Sequence, residues 1–254
     1  MSEIITLNVA SGPYMSYRTK DEDNNGNVTW RWNWKLALKV YKYDLETAKH
    51  IFVHIPKTGG TSIIHYCHPL DRTIFCLGHC FASVYPKKYR KKMFTIVRNP
   101  YSRLVSAYKF MKRGGFFNNL QYKVLVDKYP TFEDWVLNGI HKDMLTYDSK
   151  EIVTELLIPQ YHYIYEDKEC KESSTKLHST LNPIVPESHI LKFEAYADEI
   201  EKHLHVSKLY QLHYNATQTD TNEWKWCYNN KKVQNKVYRL YFEDFNLFDY
   251  DYQV

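Results

Sequence analysis

The sequence predicts an α/β fold of three layers built on a central, largely parallel sheet. Short apolar, β-branched runs recur at Ile51–Ile55, Thr73–Leu77 and Met93–Val97; they are too short for helices and suit strands buried on both faces. The first and third lead through a glycine or proline turn into helix-competent sequence, and a repeated strand–loop–helix order gives parallel pairing. At 254 residues the chain is long enough to bury a substantial core in one α/β domain.

Residues 1–48 read as an irregular N-terminal extension packing on a domain that spans 49–254. Asp21–Asn27 is a polar turn cluster, and Thr29–Trp34 alternates in the manner of an edge strand. The strand Ile51–Ile55 then runs into Pro56-Lys57-Thr58-Gly59-Gly60-Thr61-Ser62, with helix-competent residues from Ile63 to Cys67. A strand, a tight glycine loop and a helix N-terminus form an anion cradle, because glycine lets main-chain N–H groups approach an oxyanion and the helix dipole favours negative charge. Lys57 adds a full positive charge at the mouth of that loop. This is phosphate-binding chemistry, but it is not a Walker A loop, in which the lysine follows the glycines.

Thr73–Leu77 ends at Gly78-His79. Met93–Val97 ends at Arg98, where Asn99 is a good N-cap and Pro100 suits the first helical position. Leu104, Ala107, Tyr108 and Met111 then follow one helix face, with Ser106 about two turns in. Lys57, His79 and Arg98 thus each follow a predicted strand, at the end where parallel sheets bind their ligands. Further on, Thr131–Asp134 opens a helix with a capping-box pattern, 166–179 reads as a surface loop, and His189–Glu194 is a strand leading into an acidic-start helix over 195–205. A last helix over 231–245 carries Val233, Val237, Leu240, Tyr241 and Phe245 on one face.

Two motifs carry a family resemblance. Pro56–Ser62 resembles the 5′-phosphosulfate loop of sulfotransferases that use 3′-phosphoadenosine 5′-phosphosulfate (PAPS), and is most similar to the carbohydrate (heparan and chondroitin) branch. Arg98 with Ser106 resembles that family's 3′-phosphate motif. Leu157–Tyr161, His189–Glu194 and His213–Asn215 follow in the family's order, so the resemblance covers roughly 49–250. It implies an enzyme of the three-layer sulfotransferase fold that moves the sulfuryl group of PAPS to a hydroxyl, foremost on a carbohydrate, by in-line transfer. Lys57 would neutralise charge on the leaving phosphate, Thr58, Gly59, Gly60, Thr61 and Ser62 would hold the 5′-phosphate, and Arg98 and Ser106 the 3′-phosphate. His79 would be the general base, from its Gly-His context. His54, His65, His68 and His162 compete for that role, and some relatives use a glutamate.

Composition narrows the field. A net charge of +5 and a pI near 8.7 fit an enzyme that grips an anionic ligand and are far from a nucleic-acid-binding arm. Tyrosine is abundant at 23 residues, and many of these should be half-buried with wet hydroxyls. The five cysteines are an odd number without Cys-x-x-Cys, which excludes a disulfide scaffold. His65, Cys67, His68, Cys76, His79 and Cys80 crowd together, but their spacing matches no structural zinc pattern. No metal is expected, since a sulfuryl group carries less charge than a phosphoryl dianion. No stretch approaches the roughly 20 apolar residues of a membrane span. The expectation is therefore a cytoplasmic enzyme, or a Golgi-lumen one if the sequence is part of a longer chain. Two other classes remain open: a P-loop kinase or nucleoside triphosphatase using ATP and Mg²⁺, which would need a strand ending in Asp that is not visible, and a non-catalytic carbohydrate-binding protein of the same fold.

Overall fold

The computed structural model describes residues 4–7, 16–22, 28–32, 37–39, 41–64, 74–115, 120–145, 155–165, 182–204 and 223–254. The main elements are β1 (Ile4–Leu7), β2 (Ser16–Glu22), β3 (Val28–Trp32), α1 (Lys42–Thr47), β4 (His50–Val53), β5 (Ile74–Phe75), β6 (Met93–Val97), α2 (Pro100–Lys112), α3 (Leu120–Asp127), β7 (Ile190–Lys192), α4 (Tyr196–Leu204), α5 (Lys231–Leu240) and α6 (Phe242–Leu247). The chain divides into two units. One comprises Met1–Ile55, Gly59–Ile96 and Tyr163–Asn215; the other comprises Pro56–Thr58, Val97–His162 and Ala216–Val254.

The first unit holds two sheets. β1, β2 and β3 form an antiparallel meander in that order, with Arg18 opposite Trp32 and Glu22 opposite Val28. Among the described residues of the first 48, these three strands are regular structure where the sequence suggests an irregular extension, and β3 falls on the alternating run Thr29–Trp34. The sequence of β2, Ser-Tyr-Arg-Thr-Lys-Asp-Glu, hides its strand because ladder hydrogen bonds need no apolar run.

The second sheet has the order β5-β4-β6-β7, and its strands are parallel, with His50 facing Ile74 and Ile51 facing Met93. Ile51, Phe52, Val53, both residues of β5 and all of β6 are buried, as expected for strands covered on both faces. Phe52 and Phe94 stack at 5.0 Å, and with Ile63, Ile74, Cys76 and Ile96 they share a core with Leu191 of β7 and Ile200 and Leu204 of α4. The one hydroxyl in β6, on Thr95, is fully buried and donates to the Val53 carbonyl at 2.7 Å, so its burial costs little. The segments that carry Lys57, His79 and Arg98 each leave a strand of this sheet at its carboxyl end.

The second unit is organised around α2. Its cap is as predicted: the Asn99 side chain accepts from the N–H groups of Tyr101 and Ser102, and Pro100 is the first helical residue. Tyr101, Leu104, Val105, Ala107, Phe110 and Met111 are buried in one cluster with Val126, Trp135, Val233, Val237, Tyr241 and Phe245. Thr131 caps a turn by accepting from the Asp134 N–H at 3.0 Å, and the chain then winds as a π-helix over Trp135–Gly139. The single helix expected over 231–245 is two, broken at Tyr241. Tyr241 is fully buried and donates its hydroxyl to the Leu157 carbonyl at 2.9 Å, a tertiary bond that local periodicity does not reveal.

Among the described tyrosines, Tyr41, Tyr108, Tyr122, Tyr129, Tyr161, Tyr238 and Tyr250 are half-buried as expected, and others are buried outright. Tyr101, Tyr228 and Tyr241 are buried with their hydroxyls given to main-chain carbonyls, those of Tyr252, Tyr101 and Leu157. Burial raises the phenol pKa of Tyr101 to about 12. Each hydroxyl has a protein acceptor, so these rings fill the core without leaving a polar atom unsatisfied.

Candidate active site

The second unit holds the candidate cationic residues. Lys57 is in the left-handed region, at φ 69°, which costs a side-chain-bearing residue about 1–2 kcal/mol. Two arginines hold the main chain there. Arg103 Nε donates to the Pro56 carbonyl at 2.9 Å, and Arg98 Nη1 donates to the Lys57 carbonyl at 3.2 Å. The Lys57 ammonium lies 4.0 Å from the centroid of the Phe110 ring. Burial, then the positive charges of Arg98, Arg113 and Arg103, lower its pKa to about 7. Four cationic side chains thus act on one another around an amine already short of water. An anion bound there would relieve the repulsion and restore the ammonium. Thr58, next in the loop, is fully buried.

Arg98 is itself held at several points. Its Nε donates to Ser102 Oγ at 2.8 Å. Its main-chain N–H donates to Gln160 Oε1 and its carbonyl accepts from Gln160 Nε2, both at 2.8 Å. Gln160 is fully buried, and it is tied in turn to Asp244 of α6. Asp244 Oδ2 accepts from the Gln160 N–H at 2.8 Å and from Gln160 Nε2 at 3.3 Å, and Oδ1 accepts from the Tyr161 N–H at 2.9 Å. Burial pushes the Asp244 carboxyl up to about 6, against the pull of the Arg103 charge and these bonds. Ser106 is half-buried on α2.

The first unit holds the glycine turn and two of the candidate histidines, His54 and His79. Gly59 has φ 86°, and the Ser62 N–H donates to the Gly59 carbonyl at 3.1 Å; residues 60–64 are helical. Thr61 and Ser62, both half-buried, lie in this first turn. Gly60 has no room for a side chain. A Cβ there would lie 2.2 Å from His54 Cδ2, 2.4 Å from His54 Nε2 and 2.8 Å from Phe52 Cε1. The His54 ring is therefore pressed onto the loop. It stacks on Phe52 at 5.3 Å and meets His79 edge-on at 4.5 Å.

His54 is buried, as its strand position predicts, and His79 is half-buried. Gly78, at φ 73°, makes the turn before His79, and its carbonyl accepts from the Cys80 N–H at 2.9 Å. Burial raises the thiol pKa of Cys76 to about 12 and that of Cys80 well above its usual value, so these neighbours of His79 are unreactive thiols. Among the other candidate bases, His162 lies in the second unit against Tyr161, at 4.0 Å between rings, while His65 and His68 lie outside the described residues. Among the described residues no group of three His, Cys, Asp or Glu could hold a metal.

The sequence did not show Ser102, Arg103, Asp244 or the seat of His54 over Gly60. The spacing of Ser102, four residues after Arg98, was a usable signal. An aspartate on the apolar face of the last helix was another.

The first unit, with its parallel sheet and the glycine turn at Gly59 and Gly60, and the second, with Lys57 and Arg98 before a capped helix, define an α/β protein. The model of the sulfotransferase family matches residues 45–251, and the chain belongs to that family. Comparisons with curated proteins and with solved structures return no match. Membership makes the protein an enzyme of sulfuryl transfer to a hydroxyl-bearing acceptor, with the three-layer α/β fold of that family. No helix among the described residues is long and apolar enough to cross a membrane.

Proposed function

We propose that the protein transfers the sulfuryl group of PAPS to a hydroxyl of a carbohydrate. The observation that carries this reading is the Lys57 environment: a left-handed lysine with an amine near neutrality, set among Arg98, Arg103 and Arg113. These residues fit a ligand bearing more than one phosphate, and the Gly60 cradle fits one approaching main-chain N–H groups.

PAPS supplies an activated sulfur whose leaving group is a phosphate. Lys57 neutralises the charge that grows on the bridging oxygen as its bond to sulfur breaks, and it matters most at that moment. Thr58, Gly59, Gly60, Thr61 and Ser62 hold the 5′-phosphate. Arg98 and Ser106 hold the 3′-phosphate. His79 takes the acceptor's proton as the acceptor oxygen forms its bond to sulfur, a role that suits an imidazole at neutral pH. Positioning and charge stabilisation carry such a transfer without metal.

Calorimetry in EDTA with 3′-phosphoadenosine 5′-phosphate tests the donor site, with dissociation constants at or below about 1 μM, roughly −8 kcal/mol, expected. Sulfate transfer from PAPS across a panel of glycans, simple alcohols and tyrosine peptides tests the acceptor. Silence with this nucleotide beside clear binding of ATP–Mg²⁺ would move the protein to the kinase class. Transfer confined to tyrosine peptides or simple alcohols would overturn the carbohydrate reading alone.

A further inference from the structure

We propose that Gln160 and Asp244 are positioning residues of the anion site, a relay that fixes the Arg98 main chain and, through Arg98, the Lys57 loop. The inference rests on the donor site proposed above.

The Gln160 carboxamide occupies both hydrogen-bonding groups of Arg98, N–H and C=O, each at 2.8 Å. An amide satisfies that pair because it carries a donor and an acceptor side by side. Gln160 in turn is oriented by Asp244, which takes the Gln160 main-chain N–H, its Nε2 and the next N–H along, that of Tyr161. All these groups are buried or half-buried, so a lost bond cannot be made good by water at no cost. Downstream, Arg98 Nη1 reaches the Lys57 carbonyl at 3.2 Å. A continuous line of bonds therefore runs from a helix near the C-terminus to the residue assigned to the leaving group. Asp244 and Gln160 act through Arg98 and need not touch the donor themselves.

Gln160→Glu gives a test that a merely structural role would not pass. A protonated carboxyl offers the same donor–acceptor pair as the carboxamide, whereas a carboxylate offers acceptors only and would face the Arg98 carbonyl and the Asp244 carboxyl. Two carboxyls in contact share protons, so the introduced side chain should hold its proton to higher pH than an ordinary glutamate. Gln160→Met has similar length and, at any pH, no donor and only a weak sulfur acceptor. The experiment measures binding of 3′-phosphoadenosine 5′-phosphate at pH 8 and pH 5.5 for wild type and both variants, each normalised to wild type at the same pH. Unfolding temperatures are recorded alongside.

At pH 8 both variants should bind about 10-fold more weakly than wild type. At pH 5.5 Gln160→Glu should recover most of the loss and Gln160→Met none. In an Arg98→Ala background, Gln160→Met should add less than about 2-fold, because the guanidinium that carries the relay to Lys57 is gone. If Gln160→Glu is too unstable at pH 8, the pH 5.5 comparison with Gln160→Met and the Arg98→Ala cycle decide. Recovery absent at pH 5.5, or equal losses with and without Arg98, would overturn the relay while leaving the donor site standing. Wild type that fails to bind the nucleotide would overturn the donor site, and the relay with it.

Discussion

Arg98 donates from Nη1 to the main-chain carbonyl of Lys57 at 3.2 Å, so the guanidinium at the end of β6 holds the backbone of the residue assigned to the leaving group. Sequence motifs alone would make these two residues independent contacts to two different phosphates. The bond between them would couple the two proposed roles.

Arg98→Ala should therefore weaken binding of 3′-phosphoadenosine 5′-phosphate by roughly 10–100-fold, the worth of about 1.5–3 kcal/mol for a charged hydrogen bond. An analogue lacking the 3′-phosphate should lose less, since it loses only the support given to the loop. Calorimetry with the two nucleotides makes the comparison, and equal losses would remove Arg98 from the 3′-phosphate.

Lys57 should take up a proton when the site fills. Its pKa in the folded protein is about 7 against an ordinary 10.5, so the empty protein is mostly unprotonated there at pH 8, and a bound anion restores the ammonium. Binding measured at pH 8 in buffers of different ionisation enthalpy should show close to one proton taken up, absent in Lys57→Met. The same depression fixes a stability window. A lowered folded pKa contributes stability that is full above about 10.5 and lost as pH falls through about 7. Lys57→Met should accordingly stabilise the unliganded protein at pH 6 relative to its effect at pH 10, measured by urea unfolding. Its turnover should fall far more than its affinity for the product nucleotide.

Gly60→Ala should destabilise the protein by about 1–3 kcal/mol, because the new methyl group would collide with His54 and Phe52. Adding His54→Ala should recover part of that loss by opening the space the methyl needs. Thermal unfolding of the two single variants and the double variant reads this directly. Strict additivity would show that the collision is relieved elsewhere.

His79→Ala should lower turnover by about 10²–10⁴-fold with little change in nucleotide affinity, as expected for a lost general base. Near-normal transfer by the folded variant would send the search to His54, which meets the His79 ring edge-on, or to His162.

Much of this site could be read in the sequence, because its parts are local. Asn99 and Pro100 announce the start of α2, and the run from Ile51 to Ser62 announces a strand and its glycine loop. Burial of every residue of β6 also follows from its unbroken apolar composition. What was hidden is tertiary. Gln160 and Arg98 are 62 positions apart, and Asp244 lies 84 beyond Gln160, so no periodicity connects them. The left-handed conformation of Lys57 was hidden for another reason: lysine does not prefer it, and only the carbonyl bonds from Arg98 and Arg103 show what maintains it. β2 escaped because its pairing uses main-chain groups under a polar sequence.

The crowding of positive charge around Lys57 also makes that amine a chemical handle. An acylating or carbamylating reagent needs an unprotonated amine, and near pH 7.5 an ordinary lysine offers only about one part in a thousand of it. An amine with a pKa of about 7 is mostly in the reactive form under the same conditions. Lys57 should thus be acylated ahead of lysines of ordinary pKa in the unliganded enzyme, and occupancy of the loop, by restoring the ammonium, should shield it. Footprinting by limited acylation at neutral pH would then report, residue by residue, whether the anion site is filled.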